Sequence, residues 1–195
     1  MSDPLFEADD AATPLTMEER EALIPAYIAL RRELNEAEQG NILEAEQWAF
    51  ARKREVLSET FLKSLHKRMF GRVWRWAGCF RQTERNLGID AYRIPTELRQ
   101  LFDDCAFWID NNTYSPDEIA ARFHHRLVAI HPFPNGNGRH ARLAADLLLV
   151  ALDRPRFSWG RVSLVDASET RQAYVAALRA ADGRDIDPLL AFVRS

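Results

Sequence analysis

The feature that most constrains this chain is a pair of helix patterns separated by a short turn-forming segment. The first begins at Ser115-Pro116-Asp117-Glu118, which combines a hydroxyl N-cap, a proline in the first turn and a glutamate three residues after the cap. Apolar residues then recur at helical spacing to Ile130, and Pro132 ends the pattern. A second helix is predicted from Gly138 to Leu152. A largely helical protein is therefore expected.

Other apolar stripes at helical spacing support this interpretation, and a capping box at Thr16-Met17-Glu18-Glu19 precedes the first of them. They predict helices near residues 23–34, 42–49, 61–70, 95–110, 166–181 and 187 onward. The segment from Cys79 to Ile94 differs, because it has mixed polarity, a central Asn86-Leu87-Gly88 and no 3.6-residue period. This pattern favours a hairpin or an ordered loop. The chain is thus predicted to be mainly α with one β-hairpin.

Composition narrows the classes of function. With 26 Lys plus Arg against 29 Asp plus Glu, the net charge is -3, so bulk charge gives no reason to expect nucleic acid or membrane binding. The longest apolar runs, such as Leu147 to Leu152, are far shorter than the roughly 18 residues of a membrane span. The N-terminus is acidic and lacks the basic start of a signal peptide. We therefore expect a cytoplasmic protein whose two cysteines, Cys79 and Cys105, are reduced.

One stretch of the chain carries a strong local charge pattern. Residues 119–145 contain no Asp or Glu, although they contain four arginines and four histidines. At the centre lies HPFPNGNGRHAR, residues 131–142, which we call the signature segment. Its Gly136-Asn137-Gly138 can present main-chain N–H groups at the start of a helix, where the helix dipole also favours an anion. Arg139 and Arg142 share a face of that helix. We call these amides and the two arginines the anion cradle.

His131 stands at the edge of the anion cradle. A neutral imidazole there could accept a proton from a hydroxyl that attacks phosphorus. The residues alone leave alternatives open: an ordinary turn, a structural histidine, or a metal cluster, although the histidines lack a recognised spacing such as H-E-x-x-H. His66, His124 and His125 receive no role, and Asp146 is expected to pair with Arg142, four residues earlier.

The signature segment resembles the motif of the Fic (Fido) family, His-Pro-Phe-x-(Asp/Glu)-Gly-Asn-Gly-Arg-x-x-Arg. The upstream run LKSLHKRMFGRVWRWAGCFR, residues 62–81, also fits, and the chain is similar to Fic proteins of the mobile mystery protein B type. The resemblance implies a Fic-type helical bundle with a β-hairpin flap over the active-site loop. It assigns residues 55–193 to the catalytic domain. Residues 15–54 form an N-terminal helical extension, and residues 1–14 are expected to be a flexible acidic arm.

The activity implied by the resemblance is transfer of AMP, or another nucleoside monophosphate, from ATP to a Ser, Thr or Tyr hydroxyl of a target protein. On this basis His131 is the general base. Gly136, Asn137 and Gly138 form the anion hole, while Arg139 and Arg142 hold the terminal phosphates. The flap would dock the target as an added strand. Its docking residues are Arg85, Asn86, Leu87, Gly88 and Ile89.

Two departures from the family pattern bear on activity. The acid that binds Mg²⁺ in the family is Asn135 here, which offers an oxygen without the charge. The family's inhibitory motif, (Ser/Thr)-x-x-x-Glu-(Gly/Asn), is missing from the sequence, and the acidic segment Leu34–Asn41 is interpreted as a solvated helix end. Inhibition is therefore expected, if at all, from a separate antitoxin-like protein. Two alternatives stay open: a nucleotide-binding module without catalysis, and a Fic relative that transfers another phosphate-containing group.

Overall fold

The computed structural model describes residues 17–85, 87–160 and 167–195. The proposed arm at 1–14, the capping Thr16 and flap residue Asn86 lie outside these residues. The described part is mainly helical, as predicted, with eight α-helices and one turn of 3-10 helix at Ala91–Arg93. The helices are α1 (Met17–Glu21), α2 (Arg31–Phe50), α3 (Glu59–Phe70), α4 (Ile94–Asp110), α5 (Pro116–Ile130), α6 (Asn137–Ala151), α7 (Ala167–Asp182) and α8 (Asp187–Arg194).

The central pair α5 and α6 follows the local signals of the sequence closely. The Ser115 side chain accepts a hydrogen bond from the Glu118 N–H (3.2 Å) at the start of α5. At the other end His131 takes a left-handed conformation with φ of 54° before Pro132. Helix α6 then starts after Gly136, one residue before the predicted position. Both ends of the loop that carries the signature segment are thus set by nearby residues.

The N-terminal helices differ from the prediction. Residues 22–30 are not helical, because Ile24 N–H donates to the Val73 carbonyl (2.8 Å) and Arg75 N–H donates to the Ala22 carbonyl (3.0 Å). Helix α2 then runs through Gly40 without a break, although the sequence predicted a new helix after it. A Cβ at Gly40 would meet no atom within 4 Å, so this glycine lies at an open position, where it costs the helix only about 1 kcal/mol.

The core lies around α5, which packs against α4, α6 and α8. Phe123 and Leu127 of α5 and Leu149 of α6 are almost completely buried. An ion pair of 2.6 Å between Arg194 and Asp117 joins α8 to the start of α5. Helix α2 packs on α3 and α6, so the N-terminal extension also reaches the signature segment.

The segment from 79 to 94 forms no strand in its described residues (79–85 and 87–94), so the predicted hairpin is not seen there. Arg81, whose side chain is fully buried, provides a physical reason. Its guanidinium donates hydrogen bonds to the main-chain carbonyls of Thr83, Ile89, Ile130 and His131. The Arg81 side chain therefore satisfies main-chain carbonyls in both halves of the segment. In a hairpin, hydrogen bonds between the two strands would satisfy them.

Cys79 is exposed and Cys105 is buried, and the structure has no disulfide between them. Burial raises the pKa of the Cys105 thiol to about 12, which keeps it protonated. Within the described residues, no helix is both long and apolar enough to cross a membrane.

Candidate active site

The loop of the signature segment is closed by its own residues. Gly136 has φ of 77°, and a Cβ there would lie 2.6 Å from atoms of the Phe70 ring, so only glycine fits without rearrangement. The Asn137 side chain accepts from the Phe133 N–H (2.9 Å) and donates to the Phe133 carbonyl (2.7 Å). The Asn137 side chain therefore closes the loop through two hydrogen bonds to the Phe133 main chain. The first intrahelical bond of α6 runs from His140 N–H to Gly136 O (2.9 Å), so the amides of residues 137–139 precede it and suit an anion.

His66 of α3 supports this loop through hydrogen bonds and ring stacking, a role that the sequence did not indicate. The Gly78 N–H donates to Nδ1 of His66 (3.0 Å), so Nε2 carries the proton and donates to the Asn135 carbonyl (3.0 Å). The ring stacks on Phe133 at 3.8 Å between centroids. Complete burial holds the pKa of His66 well below its ordinary value, so this neutral tautomer persists.

His140 is a second structural histidine in the same layer. Its Nε2 donates to the Leu62 carbonyl (3.0 Å), and its ring meets Phe133 edge-on at 5.0 Å. Burial lowers the pKa of His140 to about 4. His66 and His140 thus hold the loop in place through hydrogen bonds to main-chain groups.

His131 is nearly buried at the end of α5, with 9% of its surface exposed. Its pKa is lowered to about 4, first by burial and then by the positive charge of Arg81, with a smaller contribution from Arg85. A neutral imidazole carries one proton, so one of its two ring nitrogens is in the unprotonated form that a base needs.

The flap segment lies directly against His131. A Cβ at Gly88 would sit 2.6 Å from Cβ of His131, which leaves room for glycine only. Arg85 is close enough for its charge to depress the pKa of His131. Arg81 joins the Ile89 carbonyl to that of His131, while Leu87 is half exposed. The structure therefore brings this predicted segment next to the predicted base.

Arg139 has a partner that the sequence did not reveal. Its Nη1 donates to Oε2 of Glu38 at 2.6 Å, and its guanidinium lies 4.9 Å from the centroid of the Phe70 ring. Glu38 is buried, and its Oε1 accepts from Nε1 of Trp74 (2.7 Å). The interpretation of segment 34–41 as a solvated helix end was wrong at Glu38. The reason is tertiary, because α2 packs against α6.

Arg142 and Asp146 do not pair as predicted. The Arg142 guanidinium lies over the Tyr174 ring instead, 4.6 Å from its centroid. Asp146 accepts instead from Phe157 N–H (3.1 Å) and Trp159 Nε1 (3.1 Å). Burial raises the pKa of Asp146 to about 6. The chain after α6 supplies these donors, so helical spacing alone could not identify the pair.

The donor chemistry for Mg²⁺ is weak. The Asn135 side-chain oxygen accepts from the Gly136 N–H at 2.5 Å, so the loop already uses it. The described residues contain no cluster of three or more His, Cys, Asp or Glu that could hold a metal ion. One neutral oxygen suits a magnesium ion that arrives with bound phosphates, since Mg²⁺ often takes few protein ligands. It does not amount to a metal site built by the protein alone.

Solved structures with the same fold define the class. The BepC protein of Bartonella tribocorum, solved with bound AMPPNP, is similar with a TM-score of 0.69 and 19% identity, covering 92% of this chain and 97% of that one. The N-terminal Fic domain of a VirB-translocated Bep effector protein from Bartonella quintana, solved with bound ADP, has a TM-score of 0.68 and 17% identity, covering 90% and 94%. The fold is therefore that of Fic domains.

The sequence comparison leads to the family itself. Residues 56–149 match the Fic/DOC family. The chain is 30% identical over 149 residues to protein adenylyltransferase Fic of Drosophila grimshawi, covering 74% of this chain and 29% of that protein. It is 29% identical over 147 residues to protein adenylyltransferase fic-1 of Caenorhabditis elegans, covering 73% and 28%. The chain carries a Fic/DOC-family domain, and the match spans less than a third of these relatives' length.

Proposed function

We propose that the chain is a protein nucleotidyltransferase that moves AMP, or another nucleoside monophosphate, from a nucleoside triphosphate to a Ser, Thr or Tyr hydroxyl. The observation that carries the proposal is the neutral, nearly buried His131 at the end of α5, where the loop to α6 begins. Relatives are named adenylyltransferases, and structures of the same fold hold AMPPNP or ADP.

The proposed chemistry is an in-line displacement at the α-phosphorus. His131 takes the proton of the target hydroxyl as its oxygen bonds to the α-phosphorus, and the bond from that phosphorus to the bridging oxygen breaks. Pyrophosphate leaves with the electron pair. The main-chain amides of residues 137 and 138 face the charge that develops, and Arg139 and Arg142 hold the leaving phosphates. Catalysis then rests on positioning and charge, as in other phosphate-transfer reactions.

The flap is the proposed docking place of the target. Gly88 lies against His131 and Arg85 is close enough to affect its pKa, so a target segment laid along the flap would bring a hydroxyl to the base. Arg81 fixes the segment to the His131 main chain, which supports the assignment without a hairpin. We also propose that residues 15–54 act as an extension on a catalytic unit of residues 55–193.

Magnesium is proposed to enter with the nucleotide, with Asn135 as its ligand from the chain. The ion would neutralise charge on the departing phosphates. An Asn135→Asp variant is expected to reach half-maximal transfer at an Mg²⁺ concentration about tenfold lower, because a carboxylate adds a full charge to the ligand shell. The measurement is transfer from α-labelled ATP over an Mg²⁺ titration.

Asn111→Asp, at the exposed end of α4, is the matched control and should not change the Mg²⁺ midpoint. The gain at position 135 should fade at high Mg²⁺, when the weaker site is also filled. A lower rate for Asn135→Asp at every Mg²⁺ concentration would instead show that the main role of Asn135 is its hydrogen bond with Gly136.

Glu38 is proposed as an internal competitor for Arg139. The carboxylate holds the guanidinium at 2.6 Å, so a triphosphate must displace it. Glu38→Gln removes the charge but keeps an acceptor for Trp74. The variant loses the charge-assisted bond to Arg139 in the ligand-free state, whereas the ATP-bound state does not contain this bond. We therefore expect ATP affinity to rise about threefold to tenfold. Calorimetry with ATP measures the change.

Glu44→Gln is the control for this prediction, because Glu44 also lies on α2 and pairs with an arginine, Arg72, at the surface. Its ATP affinity should match that of the wild type. Weaker ATP binding by Glu38→Gln would mean that Glu38 positions Arg139 for the ligand. The antitoxin-like inhibitor protein stays a separate prediction.

A nucleotide-binding module without catalysis is the second candidate, favoured by the engaged, uncharged Asn135. Parallel incubations of cell lysate with α-labelled and γ-labelled ATP separate the possibilities. Transfer of the α-label supports the nucleotidyltransferase. Transfer of only the γ-label indicates a kinase-like reaction, and ATP binding without transfer of either label indicates the module.

A further inference from the structure

A cluster of four side chains lies behind the anion cradle, and two of its members are outside the residues that match the family. It comprises His124 of α5, Arg142 of α6, Trp159 in the chain after α6, and Tyr174 of α7. The match to the Fic/DOC family ends at residue 149. Trp159 and Tyr174 are therefore contributed by a part of the chain that the family pattern does not cover.

A hydrogen bond holds the Tyr174 side chain within this group. Its hydroxyl oxygen lies 3.0 Å from Nε2 of His124. Burial lowers the pKa of His124 to about 3, which keeps the ring neutral and able to accept.

Arg142 packs on the ring that carries this hydroxyl. Its Nε is buried and makes no hydrogen bond to the described residues, and no carboxylate among those residues forms an ion pair with Arg142. Its guanidinium is stacked on the Tyr174 ring at 4.6 Å, with Trp159 further away at 6.0 Å. Asp146 accepts a hydrogen bond from Nε1 of Trp159 (3.1 Å).

Tyr174 also lies at the right place to influence the ligand. A Cβ added at Gly138 would be 3.9 Å from the Tyr174 hydroxyl, so this oxygen lies beside the first turn of α6. Those are the amides that the anion cradle offers. Tyr174 is buried, with 8% of its surface exposed.

We propose that Tyr174 is a positioning residue of the anion cradle: its ring, held in place by the hydrogen bond between its hydroxyl and His124, fixes the Arg142 guanidinium beside the start of α6, where it meets the terminal phosphates. The identity of the ligand rests on the proposed function. The role of Tyr174 toward Arg142 does not, because the contacts exist in the ligand-free chain.

The test is a Tyr174→Phe variant, which removes the hydroxyl and keeps the stacked ring. We expect ATP to bind about threefold to tenfold more weakly, because the ring under Arg142 loses its hydrogen bond to His124, while AMP binds as in the wild type. Tyr114→Phe is the matched control, because the Tyr114 ring lies under Arg122 at 4.4 Å, outside the cradle. Calorimetry with ATP and AMP measures both variants.

Two further readouts separate positioning from simple packing. In an Arg142→Ala background, Tyr174→Phe should have no further effect on ATP affinity. In the ligand-free protein, the Arg142 Nε–H NMR signal, assigned with Arg142→Lys, should lose order in Tyr174→Phe. Equal weakening of ATP and AMP, additive effects in the double variant, or an unchanged Arg142 signal would overturn the proposal. If the wild type binds neither ATP nor tripolyphosphate, the proposed function fails, and the NMR order of Arg142 still decides the role of Tyr174.

Discussion

His131→Ala is expected to lower the rate of nucleotide transfer by about 10²- to 10⁴-fold, the usual cost of losing a general base. The nearly buried ring is neutral, so it can take the hydroxyl proton, and alanine offers no substitute. ATP affinity should change little, because the phosphate contacts are assigned to the amides and arginines of α6. Initial rates with α-labelled ATP and calorimetry on the same samples measure the two effects.

His125→Ala serves as the control, since His125 is on the same helix but pairs at the surface with Asp182 (2.8 Å). It should keep the wild-type rate. The pH profile gives a second check: a base whose pKa is about 4 stays active as the pH falls through 6.5, and loses activity only near its own pKa. A wild-type rate in His131→Ala would show that another group is the base.

Arg139→Ala and Arg142→Ala are expected to weaken ATP binding by about 10- to 100-fold each, with much smaller effects on adenosine. The reason is that both guanidiniums are assigned to phosphate oxygens, which adenosine lacks. Calorimetry with the two ligands gives the ratio directly.

Arg122→Ala is the comparison variant, because Arg122 is also a helical arginine but pairs with Glu118 (2.7 Å). Its ligand affinities should be unchanged. Arg139→Ala also leaves the Glu38 carboxylate without its cation, and this unpaired charge could itself repel ATP. The double variant Arg139→Ala with Glu38→Gln removes the unpaired charge and so isolates the effect of losing Arg139. Equal losses for ATP and adenosine would identify the arginines as structural.

What the sequence could predict was local. The Ser115 cap, Pro132 and Gly136 act within a few residues, and so α5, α6 and the loop between them were predicted closely. Apolar spacing likewise predicted α3, α4 and α8. Gly40 misled the prediction, because a glycine on an open helix face costs too little to end a helix.

What the sequence could not predict depends on contacts across long separations. Glu38 meets Arg139 across 101 positions, and Arg81 meets His131 across 50. His124 meets Tyr174 across 50 as well. No periodicity reports such pairs, since they follow from how whole helices pack. A buried Glu in a polar helix and an Arg in an irregular segment have the same local appearance as solvated residues.

The burial of α8 has a consequence for the boundaries of this domain. Leu189 and Val193 are fully buried, and Arg194 is bonded to Asp117 at the start of α5, although residues 150–195 lie beyond the family match. The buried core therefore extends beyond the residues that the family model matches. Excision at residue 149 would expose the apolar side of α5 to water. A stable fragment of this chain therefore has to keep α8 as well as the matched residues.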